Sequence, residues 1–147
     1  MRAVVQRVKE ASVSVDNECA GRIGRGLVVL LGFARDDTGE GMDWLIDKIV
    51  NLRIFEKEDG KFDESLLDVN GGLLLVSQFT LYGDCTKGRR PSFSEAMPSV
   101  QARELFEAFV ERAGKRVANV QSGVFQAHMD VALVNDGPVT IIIDSKK

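Results

Sequence analysis

Leu73-Leu74-Leu75-Val76-Ser77-Gln78-Phe79-Thr80-Leu81-Tyr82-Gly83-Asp84 is the stretch around which the rest of the chain arranges itself. Four apolar residues after Gly71-Gly72 predict a strand buried on both faces, and Ser77, Gln78 and Thr80 then interrupt the run while Phe79, Leu81 and Tyr82 continue it. Polar atoms thus arrive while the strand is still inside. A buried hydroxyl or amide without a partner costs about 1 to 3 kcal/mol, so this strand end needs either internal partners or a ligand. The segment alone leaves both open.

Upstream, residues 2–34 read as a strand meander. Val13 and Val15 alternate with Ser12, Ser14 and Asp16, and Asp16-Asn17-Glu18 turns the chain. Gly24-Arg25-Gly26 turns it again before the buried run Leu27 to Phe33. Arg35 to Gly41 is loop. Met42, Leu45, Ile46, Ile49 and Val50 then fall on one helical face, with Asp43, Asp47 and Lys48 on the solvated one. Arg53 to Glu56 predicts a short strand, and Asn70-Gly71-Gly72 returns the chain to the central run.

Downstream, Lys87-Gly88-Arg89-Arg90 is the one dense basic run, open to reading as a solvated loop or as a contact for RNA phosphates. Ser99 is placed to cap a helix whose buried stripe is Ala102, Leu105, Phe106, Phe109, Val110 and Ala113, ended by Gly114. Arg116 to Ser122, Val131 to Val134 and Val139 to Ile143 predict three further strands. Asn135-Asp136-Gly137-Pro138 between the last two is a local inconsistency. Asp-Gly alone would serve a hairpin, whereas the added proline cannot donate to the ladder where pairing should resume. It reads either as an edge-strand turn or as a functional break.

A single domain spanning 1–147 follows, of α+β class: a mostly antiparallel, curved sheet closing toward a β-barrel, with two main helices packed outside. A chain of this length buries about 70% of its unfolded surface without staples. Its apolar runs fall far short of the roughly 20 residues that span a bilayer, and Gln6 and Arg7 break the first of them, so no signal peptide or membrane partner is expected and the cytoplasm is. Cys19, Cys85 and the single His128 offer no zinc spacing. The net charge of −3 excludes a protein that coats nucleic acid indiscriminately, while allowing a local basic patch.

Taken together, Ser77-Gln78-Phe79-Thr80-Leu81 and Asn135-Asp136-Gly137-Pro138-Val139-Thr140 resemble the two signature motifs of D-aminoacyl-tRNA deacylases. The likeness extends through Gln6-Arg7-Val8, Gly24-Arg25-Gly26-Leu27, Leu30-Leu31-Gly32, Arg53-Ile54-Phe55 and Gly88-Arg89-Arg90-Pro91-Ser92-Phe93. It implies a metal-independent, cofactor-free editing hydrolase, a homodimer with active sites at the interface. Gly137 and Pro138 become a cis-peptide gate whose carbonyls face the substrate's amino group in the partner's pocket, with Arg7 as the prop. An L side chain would collide with those carbonyls, a D side chain would point outward, and glycine, even mischarged on tRNA(Ala), would pass. A stiff clash excludes a stereochemical class where a cavity distinguishes a methylene by only about 1 to 3 kcal/mol.

The same resemblance makes Ser77, Gln78, Phe79 and Thr80 the catalytic wall, with backbone N–H groups of Phe79 and Thr80 receiving the developing oxyanion. Two routes stay open: water attack assisted by the ribose 2′-hydroxyl, and a Thr80 nucleophile, which lacks an evident base. Lys87, Arg89 and Arg90 become candidates for acceptor-stem phosphates of the tRNA. At Gln126 the family usually has a small residue, and at His128 an acidic one. A non-catalytic RNA- or ligand-binding barrel and a Thr80-dependent esterase of small substrates are the competing classes.

Overall fold

The computed structural model describes residues 1–146. Strand β1 (Arg2–Val15) pairs along one edge with β3 (Gly26–Gly32) and then β2 (Glu18–Ile23), and along its other edge with β8 (Asp130–Asp144). These pairings are antiparallel, as is the small ribbon of β4 (Phe55–Glu56) and β5 (Phe62–Glu64). Beyond β3 lie β6 (Gly72–Ser77) and β7 (Val120–Ser122), both in parallel register. Antiparallel pairs predominate as expected, yet the centre is parallel. The reason is connectivity: parallel neighbours need a crossover, and helices α1 (Met42–Asn51) and α2 (Ser99–Gly114) supply one each. With β2 packed back against β6 and β7, the sheet nearly closes into a barrel.

Two cores explain why β3 and β6 are apolar throughout. Leu27, Val29, Leu31, Leu73 and Leu75 face the helices, meeting the α1 stripe Met42, Leu45, Ile46, Ile49 and Val50 and the α2 residues Ala102, Phe106, Phe109 and Ala113. Val28, Leu74 and Val76 face inward against Val8, Ala11, Val13 and Ile23. Each such side chain contributes about 1.5 to 3 kcal/mol by leaving water. On β1 the alternation changes sides: Ala3 and Val5 belong to the helical core, Ala11 and Val13 to the interior one. One extra residue does this, because Val8 pairs with Asn135 and Glu10 with the adjacent Val134, a bulge that reverses every side chain beyond it.

Four local expectations change. The strand through Leu73 ends at Ser77, and Phe79–Tyr82 is a 3-10 turn, so the polar residues arrive as the chain leaves the interior rather than within it. The predicted strand over 116–122 is confined to Val120–Ser122. Ser99 makes no capping bond; Pro98 occupies the cap position of α2. Most important, residues 131–134 and 139–143 are one strand, not two. Gln6 pairs with Thr140 and Val8 with Asn135, so Asp136 to Val139 bulge outward opposite the single residue Arg7.

Asp43 and Asp47 are exposed as expected but pair across to Arg112 of α2 at 3.2 Å and to Arg116, just past its end, at 2.8 Å. The chain start is tied down inside. Met1 is buried, and its ammonium meets the Asp37 carboxylate at 2.7 Å and donates to Ser145 Oγ at 2.8 Å. Among the described residues no helix is long and apolar enough to cross a membrane.

Candidate active site

β6 delivers Ser77 at its last pairing with Leu31, and Gln78 N–H donates to the Leu31 carbonyl at 2.8 Å before the chain tightens into the 3-10 turn. Ser77 and Gln78 are half-buried, and Phe79 is 56% exposed. The N–H groups of Phe79 and Thr80 open the turn, where the i to i+3 pattern supplies no acceptor. Thr80 is exposed, and its hydroxyl accepts from the Gln78 side-chain amide. That amide is no base, so it would not activate Thr80 as a nucleophile.

Ser77, Gln78 and Phe79 form one wall of a cavity of about 730 Å³. Phe93, Met97, Pro98, Ala102 of α2, the segment Phe125 to Met129, Val131 of β8 and Arg35 also line it. The lining mixes apolar and aromatic side chains with the polar Ser77, Gln78, Ser99, Gln126, His128 and Arg35. Phe93 meets Phe79 edge-on at 5.1 Å, and Phe125 packs on Phe106 at 5.9 Å. Gln126 and His128, the two departures from the family pattern, both line this cavity and are exposed. Gln126 has φ 65°, a left-handed conformation that explains a small residue there, and Arg103 donates to its side-chain oxygen at 3.1 Å while stacking over Phe125 at 5.1 Å.

The second motif stands elsewhere. Gly137 has φ 126° and is joined to Pro138 by a cis peptide. Arg7, only 4% exposed, lies under the excursion: Nε donates to the Asp136 carbonyl at 3.0 Å, Nη1 to the Ile54 carbonyl at 2.6 Å, and Nη2 meets Glu56 at 3.4 Å. A Cβ on Gly137 would fall 3.1 Å from Arg7 Nη2. One guanidinium therefore ties the excursion to β4. From Ser77 the register runs through Leu31 and Ala3 to Ile143, about 14 Å across three strand spacings, and the turn lies beyond Thr140, on the order of 10 Å or more along β8. Within one chain the two motifs do not meet.

Lys87, Arg89 and Arg90 are exposed in a loop closed by the Asp84–Ser92 bridge, which leads into Phe93 on the cavity wall. None has an ion-pair partner among the described residues. No group of three His, Cys, Asp or Glu side chains among those residues is placed to hold a metal. Sequence reasoning missed Phe93, Met97, Ala102, Phe125 and Met129 as site residues. Apolar residues at helical or loop spacing look the same whether they wall a core or a cavity.

Comparison with known proteins bears on this geometry. A family model described as D-Tyr-tRNA(Tyr) deacylase matches residues 4–144. The D-aminoacyl-tRNA deacylases of Kosmotoga olearia and Clostridium acetobutylicum are 60% and 57% identical over 147 residues, covering all of this chain and 99% of each relative. Among solved structures, one titled c-Myc DNA Unwinding Element Binding Protein superposes with a TM-score of 0.92 at 44% identity, covering 98% of both chains. Another, titled as a probable eukaryotic D-amino acid tRNA deacylase, shares the fold at a TM-score of 0.83 and 21% identity, over 97% of both. With two relatives more than half identical from end to end and a family model spanning nearly every residue, this chain belongs to the D-Tyr-tRNA(Tyr) deacylase family.

Proposed function

We propose that the protein is a cytoplasmic editing hydrolase that cleaves the ester of D-aminoacyl-tRNA, and of glycyl-tRNA including glycine mischarged on tRNA(Ala), while rejecting L-aminoacyl-tRNA. The terminal adenosine and the scissile ester occupy the cavity walled by Ser77, Gln78 and Phe79. Water adds to the ester carbonyl, and the charge that develops on its oxygen is received by the N–H groups of Phe79 and Thr80, each such donor being worth about 3 to 4 kcal/mol. The ribose 2′-hydroxyl relays the water's proton to the departing 3′-oxygen, so the products are the free amino acid and intact tRNA. The route calls on no cofactor and no metal. Lys87, Arg89 and Arg90 hold acceptor-stem phosphates.

One observation carries the reading: the two motifs lie far apart in a single chain whose cavity reaches a strand with an edge left unpaired among the described residues. β8 pairs only with β1 among the described residues, it is 15 residues long, and Val131 of that strand lines the cavity. Two copies joined along that edge place the Gly137–Pro138 turn of one protomer over the cavity of the other. There the turn's carbonyls accept from the substrate's α-ammonium and stand where an L side chain would go, and Arg7 keeps them from yielding.

The test compares D-tyrosyl-, L-tyrosyl- and glycyl-tRNA. Release of D-tyrosine and glycine with sparing of the L-ester is expected; equal rates on both enantiomers would sink the gate. Pro138→Ala, which frees φ and restores an N–H at the turn, should admit the L-ester and cut discrimination at least tenfold. A second reading, nucleic-acid binding without hydrolysis, draws on the 44% identical structure named for DNA binding. Tight binding of charged tRNA with no release of amino acid would favour it.

A further inference from the structure

Arg35 follows β3 and the Ala34–Ala96 bridge, and it is fixed at two points to the segment that walls the cavity. Its backbone N–H donates to the Glu95 carbonyl at 2.8 Å, and its Nε donates to the Ser94 carbonyl at 3.0 Å. A guanidinium carries five donors, so four remain after Ser94 is served. Among the described residues no carboxylate pairs with it. Asp36 is held by Lys146 at 2.6 Å, and Asp37 by the Met1 ammonium and by Lys146 at 3.2 Å. Glu104 shares a smaller cavity of about 290 Å³ with Arg35 but makes no ion pair with it, and neither does Glu95.

An exposed cation ordinarily swings free and is worth little. This one is braced against the loop carrying Phe93 and Met97, lines the same cavity as Ser77 to Phe79, and has no ion-pair partner among the described residues of a chain of net charge −3. Its remaining fork suits two oxygens of one anion. We propose that Arg35, on the lining of this cavity, binds the phosphodiester joining the terminal nucleoside to the rest of the RNA. The proposal rests on the cavity receiving the 3′ end of an aminoacyl-tRNA. A phosphate contact is made alike in the ground and transition states, so its loss should appear in KM rather than kcat.

The experiment sets wild type, Arg35→Gln and Arg35→Lys against two substrates: D-tyrosyl-tRNA, and the D-tyrosine ester of adenosine, which has no phosphate. For Arg35→Gln the rise in KM should be at least fivefold larger on the tRNA than on the nucleoside ester. The slope of log KM against log salt on the tRNA should fall by about 0.7, the value for one phosphate contact on a single strand. Arg35→Lys should recover most of both. An equal loss on the two substrates would make Arg35 a brace for its loop and overturn the proposal, as would no change on either. Should the wild type cleave neither substrate, the hydrolase reading fails by itself. The Arg35 contact is then decided by binding of uncharged tRNA, supported by a shallower salt slope in Arg35→Gln and refuted by an unaltered one.

Discussion

Tyr82 is the only tyrosine of the chain, and its phenol is half-buried where the 3-10 turn meets the tied-down chain start. Burial, and after it the Asp37 carboxylate, push its pKa up to about 12, against the pull of Arg2, which lies over the ring at 5.1 Å. In the unfolded chain the phenol ionises near its ordinary value of about 10. Between those two values the folded protein keeps a proton that the unfolded one has released, so this contribution to stability is complete below about pH 10 and is lost as pH rises toward 12. Tyrosinate absorbance should titrate as one component with a midpoint well above 10; a midpoint near 10 in the folded protein would show an open phenol. Arg7 could be singled out from sequence only through the family resemblance. Its burial under Asp136 follows from a pairing gap that no local pattern reveals.

β3 and β6 begin at Gly26 and Gly72, which pair so closely that a Cβ on Gly26 would run into the Gly72 carbonyl. Gly26→Ala must therefore spread the parallel centre of the sheet, at a cost of about 2 to 3 kcal/mol. Chemical denaturation should show the midpoint falling with the slope unchanged; full retention of stability would mean the strands can part freely. The buried run of β3 and the stripe of α1 were legible because their periods are unambiguous over a whole element. The parallel pairing was not, since a strand covered on both faces reads the same in either direction. Nor was the unity of β8: Asn135 to Pro138 carries the residues of a turn, and what distinguishes an outward bulge from a hairpin is the partner strand running past it. Of the four residues the resemblance marks out, Ser77, Gln78 and Phe79 line the cavity and Thr80 lies outside its lining. Arg35 looked like any loop cation, because a brace by the Ser94 carbonyl is a contact between segments far apart in sequence.

Across the whole molecule β8 pairs only with β1 among the described residues, and on that strand Val131 is 36%, Val134 46% and Ile142 66% exposed. A long edge with apolar side chains invites a second strand, and on β8 the charge and proline that guard natural monomers are confined to Asp130, Asp136, Pro138 and Asp144. In the proposed dimer this is the surface that two copies share. Placing lysine at Val134 and Ile142 together should yield a folded monomer by sedimentation and circular dichroism, with deacylation reduced at least a hundredfold. A variant that stays dimeric, or a monomer of full activity, would show that the edge is not the interface. The distance between cavity and turn has a consequence for inheritance. If each site borrows its turn from a neighbour, a cell with one copy damaged in the cavity wall loses half its sites and little else, a recessive fault. A copy damaged in the turn would leave every mixed pair with one site that strips correctly charged tRNA, and that fault would be dominant.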